Sequence, residues 1–174
     1  SPLTQRTDVL SFNEIYKELT QLKLAVYAPV SYILPSRLKK YEEMYDTEVK
    51  GGKKLRQIDR EKSLQALMTT NLLKRLESSV EAFRLTLNSL MNNLNYTLNV
   101  IENFKKSGDT GSVGGLELDL ENDDFDTEDV ANSEDFLVGG KIQVSLQDMD
   151  VESWHFDLSN DMEILKGLHL SMQK

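Results

Sequence analysis

The 174-residue chain has no cysteine, so a disulfide framework and thiolate-metal sites are both excluded. No stretch approaches the roughly 20 consecutive apolar residues that span a bilayer as a helix. Histidine is scarce: His155 and His169 stand 14 residues apart (169 minus 155), a spacing that matches no helical zinc motif. No serine occupies a nucleophile-elbow context, and no Walker A loop is present. The Gly-Gly-Lys stretches at 51–53 and 139–141 lack both the following Ser or Thr and the preceding glycine that a phosphate cradle needs. The acidic run "DLENDDFDTED" lacks the glycine of a calcium-binding EF-hand loop and reads as a solvated acidic loop. The opening "SPLTQRTDVL" has neither a signal-peptide core nor an initiator Met, which points to a trimmed chain. A reducing, cytoplasmic setting without a membrane is the expectation.

What remains is ordinary in quantity and uneven in placement. Apolar residues make up 39% and charged residues 28%, enough for one domain with a real core. The net charge of −9 hides a split. Residues 108–174 hold 17 Asp or Glu against 3 Lys, a balance of −14, which leaves +5 on residues 1–107. A mildly basic half suits an acidic partner or a phosphate backbone, whereas the acidic half repels one.

Periodicity predicts a mainly α fold, a helical bundle of about five helices with a long acidic loop and one short extended segment or strand. Three parts are expected: a basic helical part at 1–107, a flexible acidic linker at 108–140, and an extended segment plus C-terminal helix at 141–174. Ser11 followed by Glu14 has capping-box spacing, and Phe12, Ile15, Tyr16, Leu19, Leu22 and Val26 recur at helical intervals until Pro29. "APVSYILP" reads as an extended connector, and Pro35 or Ser36 starts a helix striped by Leu38, Tyr41, Met44 and Tyr45. "KGGKK" is a loop. From Leu55 to Phe104 the pattern is helical without Gly or Pro. A break is expected at Ser78-Ser79, where Ser78 and Glu81 repeat the capping-box spacing. An unbroken helix of about 75 Å is the alternative. "KIQVSLQDMD" alternates Ile142, Val144 and Leu146 like a strand, with no evident partner. A last helix begins near Asp150, with Trp154, Leu158, Met162, Leu165, Leu168, His169 and Met172 as its stripe.

Chemistry is concentrated in cations: Lys53, Lys54, Arg56, Arg60 and Lys62, then Lys74, Arg75 and Arg84. One reading is a solvated helix face with packed aliphatic stems. The other is contact with nucleic-acid phosphates or an acidic neighbouring domain. Aromatics do not interleave with these residues, so no single-strand stacking platform is present.

The stretch "REKSLQALMTTNLLKRLESSVEAFRLTL" (60–87) resembles bacterial Swi/Snf-type helicase-like ATPases of helicase superfamily two, in which a "LLKRLESS" signature lies between the two RecA-like lobes. "LKLAVYAPVSYILP" (22–35) resembles the connector before it, and "DMDVESWHFDL" (148–158) more loosely resembles the region after it. The resemblance implies a helical inter-lobe module that couples ATP-driven lobe motion to double-stranded DNA. Its partners would be the RecA-like lobes of a parent protein that binds ATP and Mg. Lys74 and Arg75 match the signature's basic pair, Glu77 its acid, and Ser78 and Ser79 its serine pair. Lys74, Arg75, Arg84, Lys53, Lys54 and Arg56 are the candidate nucleic-acid or lobe contacts, with Ser78 and Glu81 as the structural cap. The chain departs from the family's full pattern in having no Walker A loop, DEAH-like box or arginine finger, so it is not expected to hydrolyse ATP. A free-standing helical interaction domain with an acidic arm is the competing expectation, and an independent hydrolase is disfavoured.

Overall fold

The computed structural model describes residues 11–48, 54–108, 112–113 and 142–172. Five α-helices lie among them, as the periodicity predicts: α1 Phe12–Gln21, α2 Leu38–Tyr45, α3 Gln57–Ser78, α4 Val80–Ser107 and α5 Val151–Ser171. Most of the expected acidic linker at 108–140 lies outside the described residues, as does Lys53.

The helix starts follow side-chain capping. Ser11 accepts from the Glu14 N–H at 3.2 Å, and Asp150 accepts from the Ser153 N–H at 3.2 Å, each satisfying a donor that the first helical turn leaves open. At the other end of α4, Gly108 takes φ +67° and donates its N–H to Phe104. That left-handed cap suits a residue without Cβ.

The helical run between 57 and 107 breaks at one residue. Ser79 leaves the helical conformation (φ −163°, ψ 126°), ends α3 and accepts from the Ala82 N–H at 3.2 Å to start α4. The capping expectation therefore moves by one position. Ser78 is the last residue of α3, and its hydroxyl donates back to the Arg75 carbonyl. Glu81 does not close a capping box, because the residue three beyond the true cap is Ala82; it ion-pairs instead with Arg84 at 3.5 Å.

Three further expectations are corrected. The first helix stops at Gln21 rather than running towards Pro29, because Leu24 turns into the left-handed region at φ +54°. The connector after it is not extended. It forms 3-10 turns at Ala25–Tyr27 and Pro29–Tyr32, and a third at Pro35–Arg37 leads into α2. Pro29 and Pro35 take first-turn positions, where a missing N–H costs nothing. The strand-like segment also has a partner. Strand β4 (Val144–Ser145) pairs antiparallel with β3 (Ser112–Val113), Ser112 opposite Ser145 and Val113 opposite Val144. A two-residue strand among glycines carries no periodic signal. Strands β1 (Thr47–Glu48) and β2 (Lys54–Leu55) close a hairpin ahead of α3.

One core runs through the molecule. Phe83, Leu87, Leu94 and Ile101 of α4 are fully buried, with Leu72 and Leu76 of α3 and Trp154, Leu158 and Leu165 of α5 in the same cluster. Burying each such side chain contributes about 1.5–3 kcal/mol. Helices α4 and α5 run antiparallel. His155 meets Glu102 at 3.2 Å, Glu152 meets Lys105 at 2.9 Å, and Arg84 donates to the Met172 carbonyl at 2.7 Å, so one helix's numbering falls as the other's rises. Ile142, Val144 and Leu146 are all buried, which fixes the face predicted from their alternation.

Candidate functional site: a strapped connector and a basic elbow

Residues 22–33 form a nearly buried, irregular stretch, and irregular backbone cannot satisfy its own N–H and C=O groups through a ladder. Side chains from two helices supply the missing partners. From α5, the Asp161 carboxylate accepts the N–H groups of Lys23 at 2.8 Å and Ala25 at 2.9 Å. These two contacts wrap the left-handed Leu24, whose side chain is buried and could not be replaced by glycine without losing core contacts. One and two turns earlier, Asp157 accepts from the Tyr32 hydroxyl at 2.6 Å and the Lys23 ammonium at 3.1 Å, and the Trp154 indole donates to the Ala25 carbonyl at 2.9 Å. Trp154, Asp157 and Asp161 are spaced i, i+3, i+7, one stripe of α5.

From α3, Glu61 and Gln65 stand one turn apart. Glu61 accepts the Val30 and Ser31 N–H groups at 3.1 and 3.3 Å, and the Gln65 amide donates to the Lys23 carbonyl at 2.8 Å. The connector is thus clamped between α3 and α5 by five side chains.

Burial sets the protonation of these groups. It pushes the Glu61 carboxyl up to about 8, against the opposing pull of the Val30 and Ser31 N–H groups. Asp161 is also raised, first by burial, while the Ala25 and Lys23 N–H groups work the other way. The Tyr32 hydroxyl is raised by burial and then by its bond to Asp157.

A second clasp ties α2 to the segment before α5. Asp148 accepts from Lys40 at 2.8 Å and from the Tyr41 hydroxyl, with Arg37 at 3.7 Å. Those bonds to Lys40 and Tyr41 hold its carboxyl below the ordinary carboxylate value. The Tyr41 oxygen accepts from the Ser145 N–H at 3.1 Å, and Tyr45 exchanges hydrogen bonds with Gln143. Backbone bonds from Leu34 to Asp148 and from Asp150 to Tyr32 complete the joint.

The basic residues singled out by pattern fall in two places. Lys74 and Arg75 lie half-buried in the last two turns of α3, beside the Ser79 break, and the Arg75 Nε is buried without a hydrogen bond among the described residues. Arg84 lies one turn into α4, where it caps the last carbonyls of α5 through Met172. A cation there complements the helix dipole. Lys74 and Arg75 thus precede the Ser79 break and Arg84 follows it, and Arg84 ties that break to the end of α5. Arg56 is exposed at the start of α3, and Lys54 sits in β2 at the hairpin, away from the elbow along the length of α3. The pattern therefore predicted one cluster where the fold makes two.

Periodicity does not mark Glu61, Gln65, Asp157 and Asp161. A signal exists for one of them. Asp161 falls three after Leu158 and four before Leu165, an acid inside an apolar stripe, and such a residue is buried only if something binds it.

A cleft lined by Val30, Tyr41, Asp46, Arg56 and Gln57 has room for no more than a water molecule. No group of three or more potential metal ligands is gathered among the described residues, and no described helix is long and apolar enough to cross a membrane. Comparison with protein-family models, curated proteins and solved structures finds no match to the chain.

Proposed function

We propose that this chain is a helical inter-lobe module of a DNA-dependent, helicase-like ATPase, coupling movement of two RecA-like lobes to double-stranded DNA without catalysing hydrolysis itself. One observation carries the reading. The "LLKRLESS" stretch is folded as a helix–break–helix elbow, with Lys74 and Arg75 in the last turns of α3 and Arg84 binding the adjoining turn of α4 to the end of α5. Helices of 22 and 28 residues meeting there form rods of about 33 and 42 Å, long enough to carry a displacement between lobes. The strapped connector at 22–33 keeps the other end from sliding. In this reading the module works by holding its helices in register while cations at the elbow face phosphate or a lobe surface.

ATP and Mg belong to the lobes of the parent protein. Neither Gly-Gly-Lys stretch has phosphate-loop spacing, and the cleft beside Gln57 among the described residues is too small for a nucleotide. The elbow is tested by Lys74→Glu/Arg75→Glu in the full-length protein. DNA-stimulated ATP hydrolysis should fall by about tenfold or more with the fold intact, and the salt dependence of DNA binding should weaken. Unchanged stimulation in a folded variant sinks the proposal.

A second reading is a helical protein-interaction domain with an acidic arm. It is favoured by the charge split and by exposed apolar side chains on α4 and α5, among them Leu85, Tyr96, Phe156 and Leu170.

A further inference from the structure

Two carboxyl groups clamp the connector without a counter-charge. Glu61 and Asp161 are each 1% exposed. Neither forms an ion pair among the described residues. Their partners are backbone N–H groups of the connector, joined at Glu61 by the Gln57 and Ser31 side chains. Lys23, the cation on the connector, gives its ammonium to Asp157 instead. A carboxylate buried in this way is unfavourable unless it takes a proton or meets water.

The two sides of the clamp are unequal. Toward α5 the connector has ties that do not need Asp161. Trp154 donates to the Ala25 carbonyl, Asp157 accepts from Tyr32 and Lys23, and Ile33 bridges antiparallel to Met149 with the Asp150 N–H on the Tyr32 carbonyl. Toward α3 the straps are Glu61 and Gln65. Gln65 reaches only the far end of the connector, at the Lys23 and Leu24 carbonyls. At the Pro29–Tyr32 turn the strap is Glu61. The Ser31 N–H also bonds to Ala28 inside the turn, whereas the Val30 N–H is a first-turn donor whose acceptor is Glu61.

The surroundings leave the protonation of Glu61 to burial. Residues 24–36 carry no ionisable side chain except Tyr27 and Tyr32. Gln57 and Arg60 neighbour Glu61 on α3, and Glu42, Asp46 and Arg56 stand around the cleft that Val30 lines. Helix α1 brings Glu14, Lys17 and Glu18, and α4 brings no charge between Leu85 and Ile101. Of these groups only Gln57 bonds to Glu61.

We propose that Glu61 is a proton-operated latch: while it holds its proton the Pro29–Tyr32 turn stays seated on α3, and when it loses that proton the turn opens from α3 while the rest of the connector stays with α5. The direction follows from solvation. In the open turn the carboxyl meets water and titrates as an ordinary glutamate near 4.5; in the closed turn burial pushes it up to about 8. Between those values the closed state holds a proton that the open state has released. The opening equilibrium therefore rises with pH through that window and levels off above it. The latch does not depend on the inter-lobe reading.

Native-state hydrogen exchange on the 174-residue chain from about pH 6 to 9 tests it, with each rate corrected for the intrinsic pH dependence of amide exchange. Opening at the Val30 amide should rise by about tenfold or more between pH 6 and 8 and then level off. Opening at the Lys23 and Ala25 amides, on the α5 side, should rise less. The Trp154 emission maximum should stay constant, since its bond to Ala25 is kept. Glu61→Gln, uncharged at every pH, should remove the rise at Val30 while circular dichroism reports the same helical content. The wild-type measurement stands without the variant. A flat opening equilibrium at Val30 in the wild-type chain, or the same rise in Glu61→Gln, overturns the latch. An equal rise at Lys23 and Ala25 with a shift in Trp154 emission overturns it too, because the connector then leaves both helices together.

Discussion

Replacing Asp161 by alanine tests whether the connector is held by its side-chain straps. The substitution removes the acceptor for the Lys23 and Ala25 N–H groups, which lie 2.8 and 2.9 Å from its oxygens. A buried donor left without a partner costs about 1–3 kcal/mol, and two of them about 2–6 kcal/mol. The wild-type carboxylate is itself raised by burial, which offsets part of that gain and places the expected loss in the lower half of the range. Urea denaturation at neutral pH reads the effect, with Trp154, the single tryptophan, as a fluorescent probe whose indole is bonded to the same connector. With an m-value of about 2 kcal/mol/M, the midpoint should fall by about 1–2 M at constant m. Hydrogen exchange should quicken at the Lys23 and Ala25 amides. Asn160→Ala, at the exposed neighbouring position, should shift stability by less than about 0.5 kcal/mol. A midpoint shift for Asp161→Ala no larger than for Asn160→Ala would refute the strapping argument.

Two further substitutions follow from the same geometry. Ser79→Ala should cost about 0.5–2 kcal/mol and Ser78→Ala much less, because only Ser79 accepts from a first-turn N–H of α4; equal losses in thermal or urea denaturation would return the cap to Ser78. Glu61 should make stability depend on pH. Its folded carboxyl titrates near 8 against 4.5 for an ordinary glutamate, so between those values the folded state holds a proton that the unfolded state has released. Stability therefore falls as pH rises through that window and levels off above it. Glu61→Gln should flatten the slope, read as the difference between the two proteins' unfolding free energies from pH 5 to 9, and parallel curves for the two would contradict the assignment.

The helices themselves were legible in the sequence because each has a local cause. Ser11 and Asp150 cap their own first turns, Gly108 ends α4 by its own freedom, and the apolar stripes of α4 and α5 repeat at helical spacing whatever they pack against. The break between α3 and α4 was legible to within one residue. Two adjacent serines offer the same side chain, and only the direction of the chain leaving α3 selects Ser79 over Ser78. The basic pair at the elbow was visible as composition. Its separation from Arg56 and Lys54 was not, since the helical residues from Gln57 to Leu73 hold Arg56 about 26 Å from Lys74 along α3.

The connector belongs to the other category. The apolar pattern of α1 continues through Leu22 and Val26 up to Pro29, and the stretch from Ala28 to Pro35 reads as extended. Asp161 lies 138 positions from Lys23 and 136 from Ala25, and Glu61 lies 31 from Val30. Groups that far apart in the chain leave no periodic trace, yet their hydrogen bonds decide where α1 stops and why Leu24 accepts a left-handed turn. The same holds for β3 and β4, two residues each, which pair only because the bundle brings Val113 and Val144 together. Sequence alone determined the elements whose hydrogen bonds close within a few residues. Tertiary structure decided those whose backbone groups are satisfied by side chains from distant helices, because only the packed bundle excludes the water that would otherwise satisfy them.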